Sequence, residues 1–208
     1  SPAVLTYTVT PTTPDGCTGD PFTVSVTVNP LGQVDNPGDQ EFCNNDNIII
    51  NFTTDNTGGS TTFEWTNTNS AIGLSNSGSG NINVTATNTT NDPITSTVTV
   101  TPSFEGCEGD SQTFTITVNP SSQVDEVDSQ ILCNADETTA ISFSTENTGG
   151  TTTYTWVNNT PSIGLAATGS GDIASFAAVN NSTSPVTATV VVTPSFEGCT
   201  GPAETFTI

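Results

Sequence analysis

The sequence predicts an all-β chain organised as a tandem array of sandwich repeats. Three observations lead there: strand-like alternation, a long-range internal repeat, and the absence of any window with helical periodicity. Threonine is roughly a fifth of the chain, and with Val, Ile, Phe, Tyr and Trp it forms the β-branched and aromatic set that suits a pleated, half-buried surface. Apolar and hydroxyl residues alternate in Thr6-Tyr7-Thr8-Val9-Thr10, Thr23-Val24-Ser25-Val26-Thr27-Val28, Thr97-Val98-Thr99-Val100-Thr101 and Thr113-Phe114-Thr115-Ile116-Thr117-Val118. Side chains on a strand point alternately to opposite faces, so each segment has one face for a core and one for water.

The repeat has a period near 91 residues. Phe52 recurs as Phe143, Asn56-Thr57-Gly58-Gly59 as Asn147-Thr148-Gly149-Gly150, Trp65 as Trp156, Ile72-Gly73-Leu74 as Ile163-Gly164-Leu165, and Gly78-Ser79-Gly80 as Gly169-Ser170-Gly171. Val9-Thr10-Pro11 returns as Val100-Thr101-Pro102 and Val192-Thr193-Pro194, each followed by a Gly-Cys pair at Cys17, Cys107 and Cys199. With Val28-Asn29-Pro30 and Val118-Asn119-Pro120 as linkers, residues 1–30 read as the last two strands of a preceding repeat, 31–120 as one full repeat and 121–208 as another. About 90 residues with frequent turn signals is the size of an immunoglobulin-like sandwich of about seven strands. In the first full repeat the strands are expected within 33–42, 48–54, 61–67, 71–75, 81–87, 94–101 and 111–118, named A to G in order. Trp65 and Trp156, in mid-strand, are the expected core anchors.

Charge removes whole classes of function. The 208 residues hold no Lys, Arg or His against 21 acidic residues, a formal charge of −21. A nucleic-acid binder neutralises phosphates with basic side chains, and an anionic membrane surface is held the same way. Neither partner is expected, nor direct insertion into a membrane, since no apolar run reaches the length of a spanning helix. Without a basic group or imidazole, no nucleophilic serine or oxyanion can be supported in the usual way, and no carboxylate pair stands out for glycoside hydrolysis. The expectation is a protein that is not an enzyme.

The segments Tyr154-Thr155-Trp156, Ile163 to Ile173 and Val190 to Gly198 resemble the PKD-like repeat of giant surface proteins of Bacteroidota, including SprB-like gliding adhesins. The Trp-Asp-Phe-Gly-Asp-Gly signature of ordinary PKD domains is not present, since Trp65 is followed by Thr66-Asn67-Thr68. The resemblance implies export by the type IX secretion system, display on the outer cell surface and a role as spacer or adhesin repeat. The functional expectation is therefore a stiff, disulfide-linked stalk for adhesion or gliding. The alternatives are a carbohydrate- or calcium-dependent binding module in the same array, or a filament subunit that assembles with like chains by strand addition.

Two groups of residues are site candidates. The first is Cys43, Cys107, Cys133 and Cys199, read as structural disulfides of a secreted chain, with Cys17 paired outside the segment or free. No CxxC and no His completes a zinc site. Pairing within a repeat gives Cys43–Cys107 and Cys133–Cys199. In an up-and-down sandwich, however, the A–B and F–G turns lie at opposite ends, a strand length apart, whereas bridged Cα atoms lie about 4.4–6.8 Å apart. Simple topology therefore favours Cys43–Cys199 across the junction, unless a kink at Asn36-Pro37-Gly38-Asp39 reverses the first strand. The second group is the carboxylates near the repeat ends: Asp35, Asp39, Glu41, Asp46, Glu105, Glu108, Asp110, Asp125, Glu126, Asp128, Asp136 and Glu137. They are candidate calcium ligands, because calcium gathers six to eight oxygens. The competing reading is a set of solvated acidic loops.

Overall fold

The computed structural model describes residues Ser1–Ile208. Two antiparallel strands come first, β1 (Ala3–Val9) and β2 (Phe22–Val28). The first full repeat follows with β3 (Gln40–Cys43), β4 (Asn47–Ile50), β5 (Thr61–Asn67), β6 (Ser77–Ser79), β7 (Ile82–Thr85), β8 (Ile94–Phe104), β9 (Cys107–Glu108) and β10 (Gln112–Asn119). The second contains β11 (Thr152–Asn158), β12 (Thr168–Ser170), β13 (Thr189–Phe196), β14 (Cys199–Thr200) and β15 (Glu204–Thr207). The all-β sandwich expectation is met.

In the first repeat one sheet runs β3-β10-β8-β5-β6 and the other pairs β4 with β7. The alternation in the sequence becomes the two faces of these sheets. Ser96, Val98, Val100, Pro102 and Phe104 of β8 are buried, while the intervening threonines face outward. Opposite them Phe114, Ile116 and Val118 of β10 close the core against Ile48 and Ile50 of β4 and Ile82 of β7. Trp65 lies inside this cluster, 7% exposed, its Nε1 donating to the Gly80 carbonyl at 3.1 Å. A second cluster, Ile141 to Phe206, forms around Trp156. The two cores share no residue.

The second repeat keeps its main sheet, β12-β11-β13-β14 with β15 beside β13. Its opposing layer is thinner, reduced to the bridges Glu137↔Ala177 and Ile141↔Ile173. The leading hairpin β1–β2 has the same register as β8–β10: Tyr7 faces Val24 as Val98 faces Phe114. The face equivalent to the core of the full repeat is open there, with Leu5, Tyr7, Val24, Val26 and Val28 between 42% and 54% exposed.

Two expected strands differ. The segment near 71–75 is a 3₁₀ turn, Ser70–Ile72, because the Asn69 side chain accepts the Ala71 N–H and Gly73 turns the chain at φ +90°. That turn presses on strand β7, and a Cβ at Gly73 would lie 2.3 Å from the Thr85 carbonyl oxygen. The segment at 33–42 divides at the anticipated kink, where Asn36 Oδ1 accepts the Gly38 N–H at 2.8 Å and Gly38 has φ +75°. Before the kink the chain lies on the β4 layer, with the Asp35 N–H donating to the Thr53 carbonyl. After it, β3 crosses to the other sheet and pairs parallel with β10, setting Cys43 opposite Asn119.

Candidate functional site at the repeat junction

The parallel pairing of β3 with β10 decides the cysteine geometry. Cys43 stands beside the last residue of β10, while Cys107 precedes its first. The 8 residues of β10 separate them by about 26 Å at ~3.3 Å per residue, far beyond disulfide reach. The end of β10 faces the next repeat, and there Cys43 is bonded to Cys199, with Cα atoms 5.5 Å apart. The cross-junction pairing that topology favoured is the one formed. The expected bonds of Cys107 and Cys133 are not formed within residues 1–208: both are unpaired there, as is exposed Cys17. Cys107 lies at the leading end of the first repeat and Cys133 at the trailing end of the second, so the two cannot meet.

Two further attachments hold the same joint. The loop between β7 and β8 meets the Asn-Thr-Gly-Gly turn of the second repeat. The Thr148 N–H donates to the Asn91 carbonyl at 2.9 Å, the Thr148 hydroxyl to Asp92 Oδ1, Asn91 Nδ2 to Glu146 Oε2 at 3.3 Å, and Gln123 Nε2 to Asn91 Oδ1 at 3.3 Å. The linker is pinned as well. Asn44 Nδ2 donates to Ser121 Oγ at 3.0 Å, and the Asn44 N–H to the Asn119 carbonyl at 2.9 Å. Asn147 grips the linker from the other side, accepting the Gln123 N–H at 2.8 Å and donating to the Ser121 carbonyl at 3.2 Å. The F–G turn packs on the linker so closely that a Cβ at Gly201 would lie 1.9 Å from the Ser122 carbonyl oxygen.

The junction thus explains a motif whose role was not legible in the sequence. The Asn of Asn-Thr-Gly-Gly holds its own linker, and the Thr and first Gly receive the preceding repeat. The second Gly lies beneath a phenylalanine ring, where a Cβ would come within 2.6 Å of Phe104 in one repeat and 2.5 Å of Phe196 in the other. The signal was present as an exact repetition of the motif, but nothing local in it pointed to a contact 56 residues away.

The acidic candidates do not converge. No three Cys, Asp or Glu side chains come together in a metal-binding arrangement. Several are engaged singly as acceptors. Asp35 accepts from the Thr53 hydroxyl at 2.6 Å, Glu41 from Asn119 Nδ2 at 2.7 Å, Glu105 from the Ser60 N–H at 2.6 Å and Asp125 from the Ser144 hydroxyl at 2.6 Å. Asp46 and Asp136 accept the N–H of Cys43 and Cys133 at 2.9 and 3.0 Å, shaping the A–B turns. Glu108, Asp110, Glu126, Asp128 and Glu137 are exposed. Calcium needs several oxygens in one shell, so the melting temperature is expected to be the same in millimolar calcium and in chelator. A rise of several degrees with calcium would show a site completed by backbone oxygens.

Two groups have displaced acidities. Hydrogen bonds from Thr115, the backbone N–H above all, hold the exposed Asp39 carboxyl below its ordinary range. Burial, then the negative charges of Asp125 and Asp172, push the Tyr154 phenol up. For a depressed carboxyl the sign is fixed: its contribution is present above the unfolded value and fades as pH falls through the folded one. Acidification below the ordinary aspartate range, ~3.9, is therefore expected to release β3 from β10 locally. Protection of the Thr115 amide, taken relative to its intrinsic exchange rate at each pH, is expected to fall there, and Asp39→Ala to show the lower protection already at neutral pH.

Comparison with known proteins completes the description. The profile of the PKD-like domain matches residues 1–32 and 40–122, more than half of the chain. The chain belongs to the PKD-like domain family. No curated protein matches the PKD-like array significantly. Among solved structures it is similar to the FN1–FN3 domains of chicken CNTN1 at 11% identity and a TM-score of 0.37, over 98% of this chain and 76% of that one. It is also similar to mouse cadherin-23 EC22–24, at 15% identity and a TM-score of 0.31, over 90% and 68%. The third is a Bacteroides ovatus SGBP-B in complex with a mixed-linkage heptasaccharide, at 12% identity and a TM-score of 0.26, over 98% of this chain and 46% of that one. Likenesses this distant carry no functional weight.

Proposed function

We propose that this PKD-like array is a structural segment of an extracellular stalk or filament, and that its working part is the locked joint between repeats. The observation that carries this is the Cys43–Cys199 bond acting together with the Asn91–Thr148 contact and the pinned linker. A linker alone is a hinge. Three attachments at one joint resist both bending and twisting, which is what a spacer needs and what an independently swivelling binding domain does not. A disulfide also suits an oxidising compartment outside the cytosol. The buried tryptophans support a non-catalytic spacer over a sugar-binding module, since neither Trp65 nor Trp156 offers an exposed stacking face. Display on a bacterial cell surface, export by the type IX system and service in adhesion or gliding are the finer parts of the proposal. They rest on the resemblance of the repeat motifs to SprB-like proteins.

The test is the angular spread of the joint. Small-angle scattering and negative-stain microscopy of the oxidised chain are expected to show a narrow distribution of inter-repeat angles, and Cys199→Ser a broad one. An oxidised chain as flexible as the variant would end the stalk reading. Binding of the oxidised chain to a glycan array would favour the module instead.

A further inference from the structure

Cys107 and Cys133 are unpaired, yet each stands where the chain elsewhere holds a bonded cysteine. Cys107 occupies the hairpin position of Cys199. Phe104↔Cys107 pairs as Phe196↔Cys199 does, across turns with φ +48° and +83° at Glu105-Gly106 and +45° and +86° at Glu197-Gly198. Cys133 occupies the turn position of Cys43, in the shared pattern Cys-Asn-x-Asp. The third residue is left-handed in both turns, Asn45 at φ +73° and Ala135 at φ +72°. The Asn side chain accepts from the loop beyond in both, Asn44 from the Asn88 N–H and Asn134 from the Asn180 N–H, each at 2.8 Å.

The joint itself recurs independently of the cysteines. Gly149 lies beneath Pro93, where a Cβ would be 3.0 Å from the proline Cδ, and Gly58 lies beneath Pro2 at 3.2 Å. The leading hairpin therefore sits on the first repeat as the β8–β10 hairpin sits on the second. At the other end, the receiving loop has its shape without a partner in place. Asn180 Nδ2 donates to the Ser184 carbonyl at 2.9 Å, as Asn88 Nδ2 does to the Asp92 carbonyl at 2.8 Å. Beside it a cleft of about 370 Å³ opens between Leu132, Cys133, Val179 and Val186.

From the recurring joint and the two matched half-sites we infer that every joint of the array carries the same bond. Cys107 takes the A–B-turn cysteine of the repeat before it, and Cys133 takes the F–G-turn cysteine of the repeat after it. The partner is another PKD-like repeat presenting Cys-Asn-x-Asp or Gly-Cys at these turns. Each bond forms as two thiols give two protons and two electrons to a disulfide oxidant, itself reduced to two thiols. Because each bond reaches from one repeat into the next, the bonds overlap, and the array becomes a continuous covalent ladder. This rests on the stalk reading but makes a separate claim.

The test extends the chain by one repeat. Ile208 stands in the register of Ile116, so residues 117–208 are joined after it. The chain is refolded with oxidised glutathione and digested at acidic residues, since it offers no trypsin site. Mass mapping is expected to find two cross-links, Cys43–Cys199 and Cys133 with the appended copy of Cys199. Cys133→Ser should leave that appended cysteine open to alkylation and the Cys43–Cys199 bond intact. If Cys43–Cys199 forms while Cys133 stays free, the ladder is overturned and the single clamp stands. If Cys43–Cys199 does not form, both fall.

Discussion

Pulled between its ends in a force spectrometer, the oxidised chain is expected to extend without ever releasing the residues between Cys43 and Cys199. Force entering at the first residue reaches Cys43, crosses the sulfur–sulfur bond to Cys199 and leaves through the last few residues. The bypassed loop spans a sequence separation of 156, which at ~3.3–3.6 Å per extended residue is a hidden length of roughly 510–560 Å. Adding reductant, or substituting Cys199→Ser, should expose that length as additional unfolding steps, while Cys107→Ser should not. The same closure constrains the unfolded chain, and the loop-entropy estimate for this separation is about 5 kcal/mol shared by the two repeats. A trace whose total contour is the same with and without reductant would refute the clamp. For a surface stalk the consequence is mechanical. Most of the two cores lies outside the path of tension.

Trp65→Ala is expected to unfold the first repeat selectively. The indole fills the middle of the first core, 7% exposed, and truncation of such a side chain costs about 3–5 kcal/mol. Gly78 leaves room for the ring, since a Cβ there would lie 2.2 Å from Cζ2, and it has no side chain with which to fill the void. Because the chain has 2 tryptophans, one in each core, the variant leaves Trp156 as a private reporter of the second repeat. Under reducing conditions its fluorescence midpoint in urea should match that of the parent, while far-UV dichroism loses stability in an earlier step. A Trp156 midpoint that falls together with the dichroism would show that the two cores unfold as one unit.

The contrast between the two Asn-Thr-Gly-Gly turns and the strands around them shows what was readable in the sequence. Alternation at Thr97–Thr101 and Thr113–Val118 specified β8 and β10 with their buried faces, because strand periodicity is local and the threonines can only face water. The turns were readable as turns but not as joints, since their partners come from another repeat. The segment 71–75 was misread as a strand because its apolar residues also suit a 3₁₀ turn, and the choice lay with the Asn69 cap and the crowding of Gly73 against Thr85. The acidic residues looked like a ligand set because they cluster in sequence near the repeat ends. In space each is occupied or exposed singly.

By itself the sequence determined the all-β class, the period near 91 residues and the absence of cationic chemistry, because composition and periodicity need no partner to be read. It also left two disulfide pairings open, with strand length favouring the one across the junction. Only the tertiary structure chose between them. The kink at Asn36-Pro37-Gly38 could either reverse the first strand or move it to the other sheet, and the outcome depends on which edge offers free hydrogen bonds. The exposed edge of β10 accepts β3 in parallel, carries Cys43 to the far end of the repeat, and so places its sulfur against the next one.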